Sequence, residues 1–427
     1  MTTESRQQET LFGHPKGLYI LFFTEMWERF SYYGMRALLV FYMTKHLLFS
    51  QERASEIYGL YTGLVYLTPL FGGMLADRLW GQRRTVVLGG TLMAVGHFLM
   101  VFESLFFPAL LFLILGNGAF KPNISTQVGR LYPPGDPRRD RAFNIFYVGI
   151  NLGAFFSPLV CGTLGEVCGW HYGFGVAGIG MMVGLGIYLW GQRYLMPDTL
   201  VRTAERDAPP QAPLTGEERR RIYALVAVCL VATLFWAVAE QQGNTMALWA
   251  DEDTDRHIFG WLMPATWIQS FNPFMIFLFT PLVTAYWAWQ SRRGREPSSL
   301  TKIAIGIALA AAACLIMVPA ARIYAADGTP VSLLWIVGHF AVLTAGELFL
   351  SPVGMSLVTK LAPQRMVSMM MGVWFLTSFG GSFIAGYVGS FWEKMPKDAY
   401  FLLLAGMAGL GALAVTLMIR PLKNITA

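Results

Sequence analysis

Apolar residues fall along the chain in blocks of about 20, separated by short charged or Gly/Pro-rich breaks. A helix of about 20 apolar residues spans the hydrocarbon core of a bilayer. The predicted spans lie near 17–44, 55–76, 84–102, 106–128, 141–163, 171–191, 220–246, 259–288, 302–321, 331–358, 366–390 and 399–419. Lipid-facing backbone finds no water to bond, so these segments are predicted to be helices; a barrel needs alternating segments of about ten residues.

One long polar stretch, residues 193–221, contains four prolines and divides the twelve predicted helices into six and six. This pattern predicts an all-α polytopic membrane protein with twelve transmembrane helices in two six-helix bundles, a layout typical of transporters. The predicted domains are a cytoplasmic N-terminal segment at 1–16, bundles at 17–192 and 220–420, a cytoplasmic linker at 193–219 and a cytoplasmic tail at 421–427.

The distribution of charge supports the membrane assignment and gives its orientation. Only 14% of the residues are charged, against roughly 25% in a soluble domain, which excludes a soluble enzyme, a disordered scaffold and a coiled coil. Of the 32 Lys and Arg, 23 lie in the N-terminal segment, the tail and the loops of one side, and six lie in the opposite loops. The positive-inside rule therefore places both termini in the cytoplasm. Because the basic residues form no single patch, the net charge of +6 does not indicate a nucleic-acid partner.

Ionisable residues deep in the predicted spans are the main functional signal, since each costs about 2.5 to 3.5 kcal/mol at a helix centre. They are Glu25, Glu28, Arg29, Arg36, Lys121, Glu240 and Glu347. At 100° per residue, the four in the first span share one face with Tyr32 and Tyr33 over about 16 Å. Such a stripe is unstable against lipid and is predicted to line a cavity. The alternative for any one residue is an ion pair that only fixes helix register.

With these residues identified, the chain resembles the proton-dependent oligopeptide transporter family of the major facilitator superfamily. Glu25-Met-Trp-Glu28-Arg29 fits the ExxER signature of that family, and GGMLADRLWGQRR fits the loop motif of the superfamily. KPNIS, FNIFYVGINLGAFFSPL, FWAVAEQQG, FNP and GELFLSPVGMS follow in family order. The resemblance implies a proton-coupled symporter that imports di- and tripeptides by alternating access. Protons are its coupling ion, and no other cofactor or metal is expected.

The resemblance also implies roles for individual residues. Proton coupling is assigned to Glu25, Glu28, Arg29 and Glu240. Substrate binding is assigned to Tyr32, Tyr33, Arg36, Tyr66, Lys121, Asn151, Trp236, Asn272, Glu347, Trp374 and Ser378. Among these, Arg36 and Lys121 are expected to receive the peptide carboxylate, while Glu347 with Asn151 and Asn272 holds the amino end. The implied gate pairs are Arg36 with Glu240 and Lys121 with Glu347.

Other functions remain open from the sequence. Within transport, the alternative is a proton-coupled carrier of nitrate, another small anion or a peptide-like compound. A polytopic membrane enzyme or a receptor is the alternative from a different class, although the six histidines are scattered without the spacing of a metal site. We expect a monomer in a bacterial-type inner membrane, with peptides, protons and the lipid bilayer as its partners.

Overall fold

The structure is a computed structural model that describes residues 9–133, 136–198, 214–363 and 366–426. Within these residues the helices before the predicted linker are α1 (Lys16–Phe41), α2 (Gln51–Leu67), α3 (Pro69–Leu75), α4 (Gln82–Leu99), α5 (Phe106–Arg130), α6 (Arg138–Ser157) and α7 (Trp170–Gly191). The later helices are α8 (Gly216–Ala239), α9 (Thr245–Glu252), α10 (Phe271–Arg292), α11 (Ser299–Asp327), α12 (Leu334–Leu361), α13 (Val367–Gly389) and α14 (Lys397–Thr426). Most of the predicted linker, at 199–213, and residues 1–8 lie outside the described part.

Short strands lie only next to the helix ends in the described residues. β1 (Thr10–Leu11) pairs antiparallel with β2 (His14–Pro15), and β4 (His257–Ile258) pairs antiparallel with β5 (Trp261–Leu262). β3 (Thr254–Asp255) pairs in parallel with β6 (Val331–Ser332).

All twelve predicted spans contain helix, and the larger differences from the prediction are one late start and one internal break. Ten helical segments of the described chain are long and apolar enough to cross a membrane. The two remaining spans are α1, which carries four buried charges, and α4, which is only 18 residues long and starts with a basic segment. The eighth span begins at Ala265, with a 3₁₀ segment (Ala265–Ser270) that continues into α10, and not near 259, because the apolar residues before it fold into the β4–β5 hairpin. The second span is divided at Thr68, immediately before Pro69.

Local sequence signals explain several helix ends. α8 begins with a capping box, in which the Thr215 hydroxyl accepts from the Glu218 amide and the Glu218 carboxylate accepts from the Thr215 amide. α11 ends at Gly328, which adopts the left-handed conformation that favours glycine. α8 ends at Glu240, where a 3₁₀ segment (Glu240–Gly243) follows. A carboxylate predicted to act in transport therefore lies at a break in a membrane helix.

Contacts group the chain into two compact units. The first unit comprises Met1–Leu38 and Leu67–Pro209, and the second comprises Leu39–Tyr66 and Pro210–Ala427. α2 thus belongs mainly to the second unit although it precedes the linker.

Glycines allow the helices of each unit to approach closely. In the first unit, a Cβ on Gly72 of α3 would lie 2.0 Å from the Gly118 carbonyl oxygen of α5. In the second unit, a Cβ on Gly59 of α2 would lie 2.5 Å from the Cα of Gly386 in α13. These contacts are backbone to backbone, as at small-residue crossings of membrane helices, and larger side chains would separate the helices.

Candidate functional site

The first unit contains a buried ion-pair cluster on α1. Glu25, Glu28 and Arg29 are 1%, 0% and 2% exposed. The Arg29 guanidinium donates from Nη2 to Glu28 Oε1 at 2.8 Å and from Nε to Glu28 Oε2. Its Nε also lies 3.2 Å from Glu25 Oε1. A charge at this depth requires a partner, and the arginine is shared between two carboxylates.

The two glutamates of the cluster are not equivalent. Both oxygens of Glu28 accept bonds from Arg29, and Oε1 also accepts from Nδ2 of Asn117 at 3.3 Å. Glu25 Oε2 is buried and has no hydrogen-bond partner among the described residues. Glu28 is therefore the fixed counterion of Arg29, while Glu25 keeps an oxygen on which a proton can reside.

Other predicted residues of the first unit lie around the same stripe. Arg36 is 2% exposed and lies 5.7 Å from the ring centroid of Tyr33, and Arg29 lies 5.2 Å from that of Tyr32. Lys121 lies close enough to Glu25 for the two charges to interact. The two arginines therefore lie beside aromatic faces, where cation–π attraction stabilises them.

Asn151, on α6, is also buried, with 5% of its surface exposed. Its Nδ2 donates to the Tyr147 backbone carbonyl one turn earlier, at 3.0 Å. The side-chain amide of Asn151 is thus bonded within its own helix. The role of Asn151 in binding the amino end of a peptide stays a prediction.

The second unit contains a polar cluster between α10 and α12. Nδ2 of Asn272, in the first turn of α10, donates to Glu347 Oε2 at 2.8 Å and to Thr344 Oγ1 at 3.1 Å. Thr344 is fully buried and lies one turn before Glu347 on α12. Glu240 is 3% exposed and lies near enough to Glu347 for their charges to interact. The cluster therefore combines two carboxylates and one amide.

The predicted aromatic residues of the second unit lie on three helices. Trp374 is 3% exposed and packs over Gly354, where a Cβ would lie 1.9 Å from the indole ring. Ser378 follows one turn later on α13 and is 7% exposed. Trp236 on α8 and Tyr66 on α2 are half-buried. The glycine at 354 is required to seat the Trp374 ring.

Sequence reasoning missed two polar residues that contact the predicted site, Asn117 and Thr344. Asn117 precedes Lys121 by four residues and shares its helix face. This spacing is the sequence signal that places Asn117 near the predicted site. Thr344 precedes Glu347 by three residues on the same face. The gate pairs each combine residues of different units, and they stay predictions.

Comparison with known proteins adds the family. The family model described as POT family matches residues 83–199 and 208–404. The chain belongs to the POT family. The prediction from the sequence motifs is confirmed, and so is the twelve-helix fold of the major facilitator type. The protein is a multi-pass membrane protein.

Curated POT relatives match over almost the whole chain. The peptide transporter YePEPT of Yersinia enterocolitica subsp. palearctica is 35% identical over 91% of this chain and 90% of its own length. The di-/tripeptide transporter of Lactococcus lactis subsp. cremoris is 34% identical over 98% of both chains.

A solved structure of the peptide transporter POT in complex with sulfate is 32% identical, covers 98% of both chains and has a TM-score of 0.90. A POT family transporter in complex with 5-aminolevulinic acid has a TM-score of 0.89 at 31% identity, over 98% of this chain and 99% of that one. These relatives are transporters, and the fold comparison covers both predicted bundles.

Proposed function

We propose that this POT-family chain imports di- and tripeptides together with protons across the inner membrane, as a monomer, by alternating access. The observation that carries the proposal is the buried cluster on α1, in which one Glu25 carboxylate oxygen has no hydrogen-bond partner in the described part of the chain and lies beside the Glu28–Arg29 pair. A carboxylate of this kind takes up and releases a proton without breaking the neighbouring ion pair. Inward movement of that proton supplies about 2.3 kcal/mol per 100 mV of membrane potential.

The proposal is tested by uptake of a labelled dipeptide into proteoliposomes with an alkaline interior. We expect accumulation above the external concentration, and its loss when a protonophore removes the gradient. Nitrate in excess serves as the competitor for the alternative of a small-anion carrier. The proposal would be contradicted if nitrate inhibited dipeptide uptake, or if the amount of dipeptide taken up did not depend on the pH gradient. The intact ExxER cluster and the peptide-transporting relatives favour the peptide.

The cluster on α10 and α12 is proposed to bind the peptide's amino end. Asn272 uses both amide hydrogens, one on Glu347 and one on Thr344, so its Oδ1 is the atom left to accept from a ligand. Asn272 Oδ1 and one carboxylate oxygen of Glu347 are then two hydrogen-bond acceptors for the ammonium group of a peptide. Thr344 touches no ligand in this arrangement and acts by holding the Asn272 amide in orientation.

We expect Thr344→Val to weaken binding of a free-amine dipeptide about two- to tenfold, because one neutral hydrogen bond contributes about 0.5 to 1.5 kcal/mol. Valine has nearly the shape of threonine, so packing is preserved while the acceptor for the Asn272 amide is lost. Thr344→Ser keeps the hydroxyl and should restore the wild-type affinity. Competition at fixed pH with the free-amine dipeptide and its N-acetylated form measures the effect. Equal weakening of both ligands would show that Thr344 has only a packing role.

A further inference from the structure

A short β-hairpin precedes α1 at its cytoplasmic end. The two turn residues between β1 and β2, Phe12 and Gly13, have φ angles of 47° and 80°. Two-residue turns of this kind require positive φ and are usually Asn-Gly, Asp-Gly or Gly-Gly. A phenylalanine is strained there, and Phe12 is also 85% exposed. The tip of this turn carries a large apolar ring where Asn, Asp or Gly is usual, which indicates that the tip does not face water.

The hairpin is fixed against the first unit. Nη1 of Arg138, in the first turn of α6, donates to the Gly13 carbonyl at 3.1 Å. Nδ1 of His14 lies 2.7 Å from the Tyr132 hydroxyl, in a buried hydrogen bond. The exposed ring is therefore held in a defined position and is not part of a loose terminus.

An apolar groove of about 330 Å³ lies beneath this hairpin. Its lining residues are Leu11, Phe12, Tyr19, Phe22, Phe23 and Ile145. Phe23 is 45% exposed on a membrane helix, so the groove is continuous with the lipid-facing surface of the protein. Phe23 lies seven residues from the start of α1, or about 10 Å along the helix axis.

One exposed basic residue shares the face of α6 that lines the groove. Arg141 is exposed and lies one turn before Ile145 on α6, so the two side chains share a face. Two of the nearby acids are paired with cations, and Asp140, the acid in the first turn of α6, precedes Ile145 by five residues and so points about 140° away from it around the helix. A hydrogen bond from Lys16 lowers the pKa of Glu9, and hydrogen bonds from Arg138 lower the pKa of Asp136. A negatively charged group above the groove therefore meets Arg141 as its partner.

We propose that this groove binds an anionic phospholipid of the cytoplasmic leaflet, with one acyl chain against Phe12 and Phe23 and the phosphate beside Arg141. The cytoplasmic leaflet carries the anionic lipids, and arginine is well suited to phosphate. The bound chain covers the exposed ring of Phe12, which explains an apolar residue at a strained turn. The proposal is independent of the peptide site, since none of these residues belongs to it.

Native mass spectrometry of the purified full-length protein tests the proposal, with phosphatidylglycerol and phosphatidylethanolamine of the same acyl chains added in equal amounts. The wild type is expected to retain one phosphatidylglycerol in preference to phosphatidylethanolamine. Arg141→Gln should reduce that preference about fivefold. Phe12→Ser should reduce retention of both lipids. Arg139→Gln is the matched control, because Arg139 has the same charge but lies over Gly129 of α5.

Three results would overturn the proposal. One is an unchanged preference in Arg141→Gln, and another is unchanged lipid retention in Phe12→Ser. The third is displacement of the lipid by soluble glycerophosphoglycerol at equal concentration, which would show a plain anion site without an acyl-chain groove. Dipeptide binding by each variant reports correct folding, because Phe12 and Arg141 lie outside the proposed peptide site.

Discussion

Glu25→Gln is expected to abolish accumulation of dipeptide against a gradient while leaving exchange of peptide across vesicles within about twofold of the wild type. The amide cannot take up a proton, whereas Arg29 keeps its two bonds to Glu28. Binding and the conformational cycle therefore survive without coupling. Accumulation under an imposed pH gradient and counterflow at equal pH, measured on the same vesicles, separate the two activities.

Glu28→Gln should behave differently, because it removes the carboxylate that accepts two bonds from a buried arginine. Breaking a buried pair by removing one partner costs about 3 to 5 kcal/mol. We expect loss of both accumulation and exchange, together with a lower unfolding temperature in detergent. Glu217→Gln is the control, since Glu217 is exposed and its ion pair with Arg221 lies on the surface. Accumulation by Glu25→Gln above the external concentration would contradict the different roles assigned to the two glutamates.

The second large effect concerns Glu347, which accepts from Asn272 at 2.8 Å. Glu347→Gln is expected to weaken binding of a free-amine dipeptide about 10- to 100-fold, because a hydrogen bond to a charged group contributes about 1.5 to 3 kcal/mol. The N-acetylated dipeptide has no ammonium and should lose little affinity. Competition by both ligands at one pH gives the comparison.

Two outcomes of that comparison distinguish different errors. If wild-type protein itself binds the two ligands equally, the proposed amine site is wrong. If the wild type discriminates and Glu347→Gln weakens both ligands equally, the site exists but Glu347 has another role, in a gate or in the fold.

The helices were predictable because each one is a long, nearly continuous run of apolar residues. About 20 apolar residues in a row have one stable structure in lipid, and buried charges stand out against them. The start of the eighth span was predicted wrongly because the segment from Ile258 to Leu262 is as apolar as a span but too short for one. It folds as a hairpin around Phe259 and Gly260, which both have positive φ.

The missing parts of the candidate site depend on distant partners. Asn117 and Thr344 are ordinary polar residues in apolar helices, and they gain a role only beside Glu28 and Asn272. The difference between Glu25 and Glu28 likewise depends on where one guanidinium points. A sequence motif identifies the residue types of a site. The hydrogen bonds that give two glutamates different roles depend on how the helices pack.

The grouping of α2 with the second unit has a consequence for how the chain is made. Nε2 of Gln51 donates at 2.9 Å to the carbonyl of Gly389, a residue 338 positions later. The Ser55 hydroxyl donates at 2.8 Å to Asn244, which is also synthesised much later. At about 5 to 20 residues per second, α2 waits roughly 17 to 70 seconds in the membrane before Gly389 leaves the ribosome. During biogenesis its small, polar face is exposed to lipid or to the insertion machinery until α13 has been made.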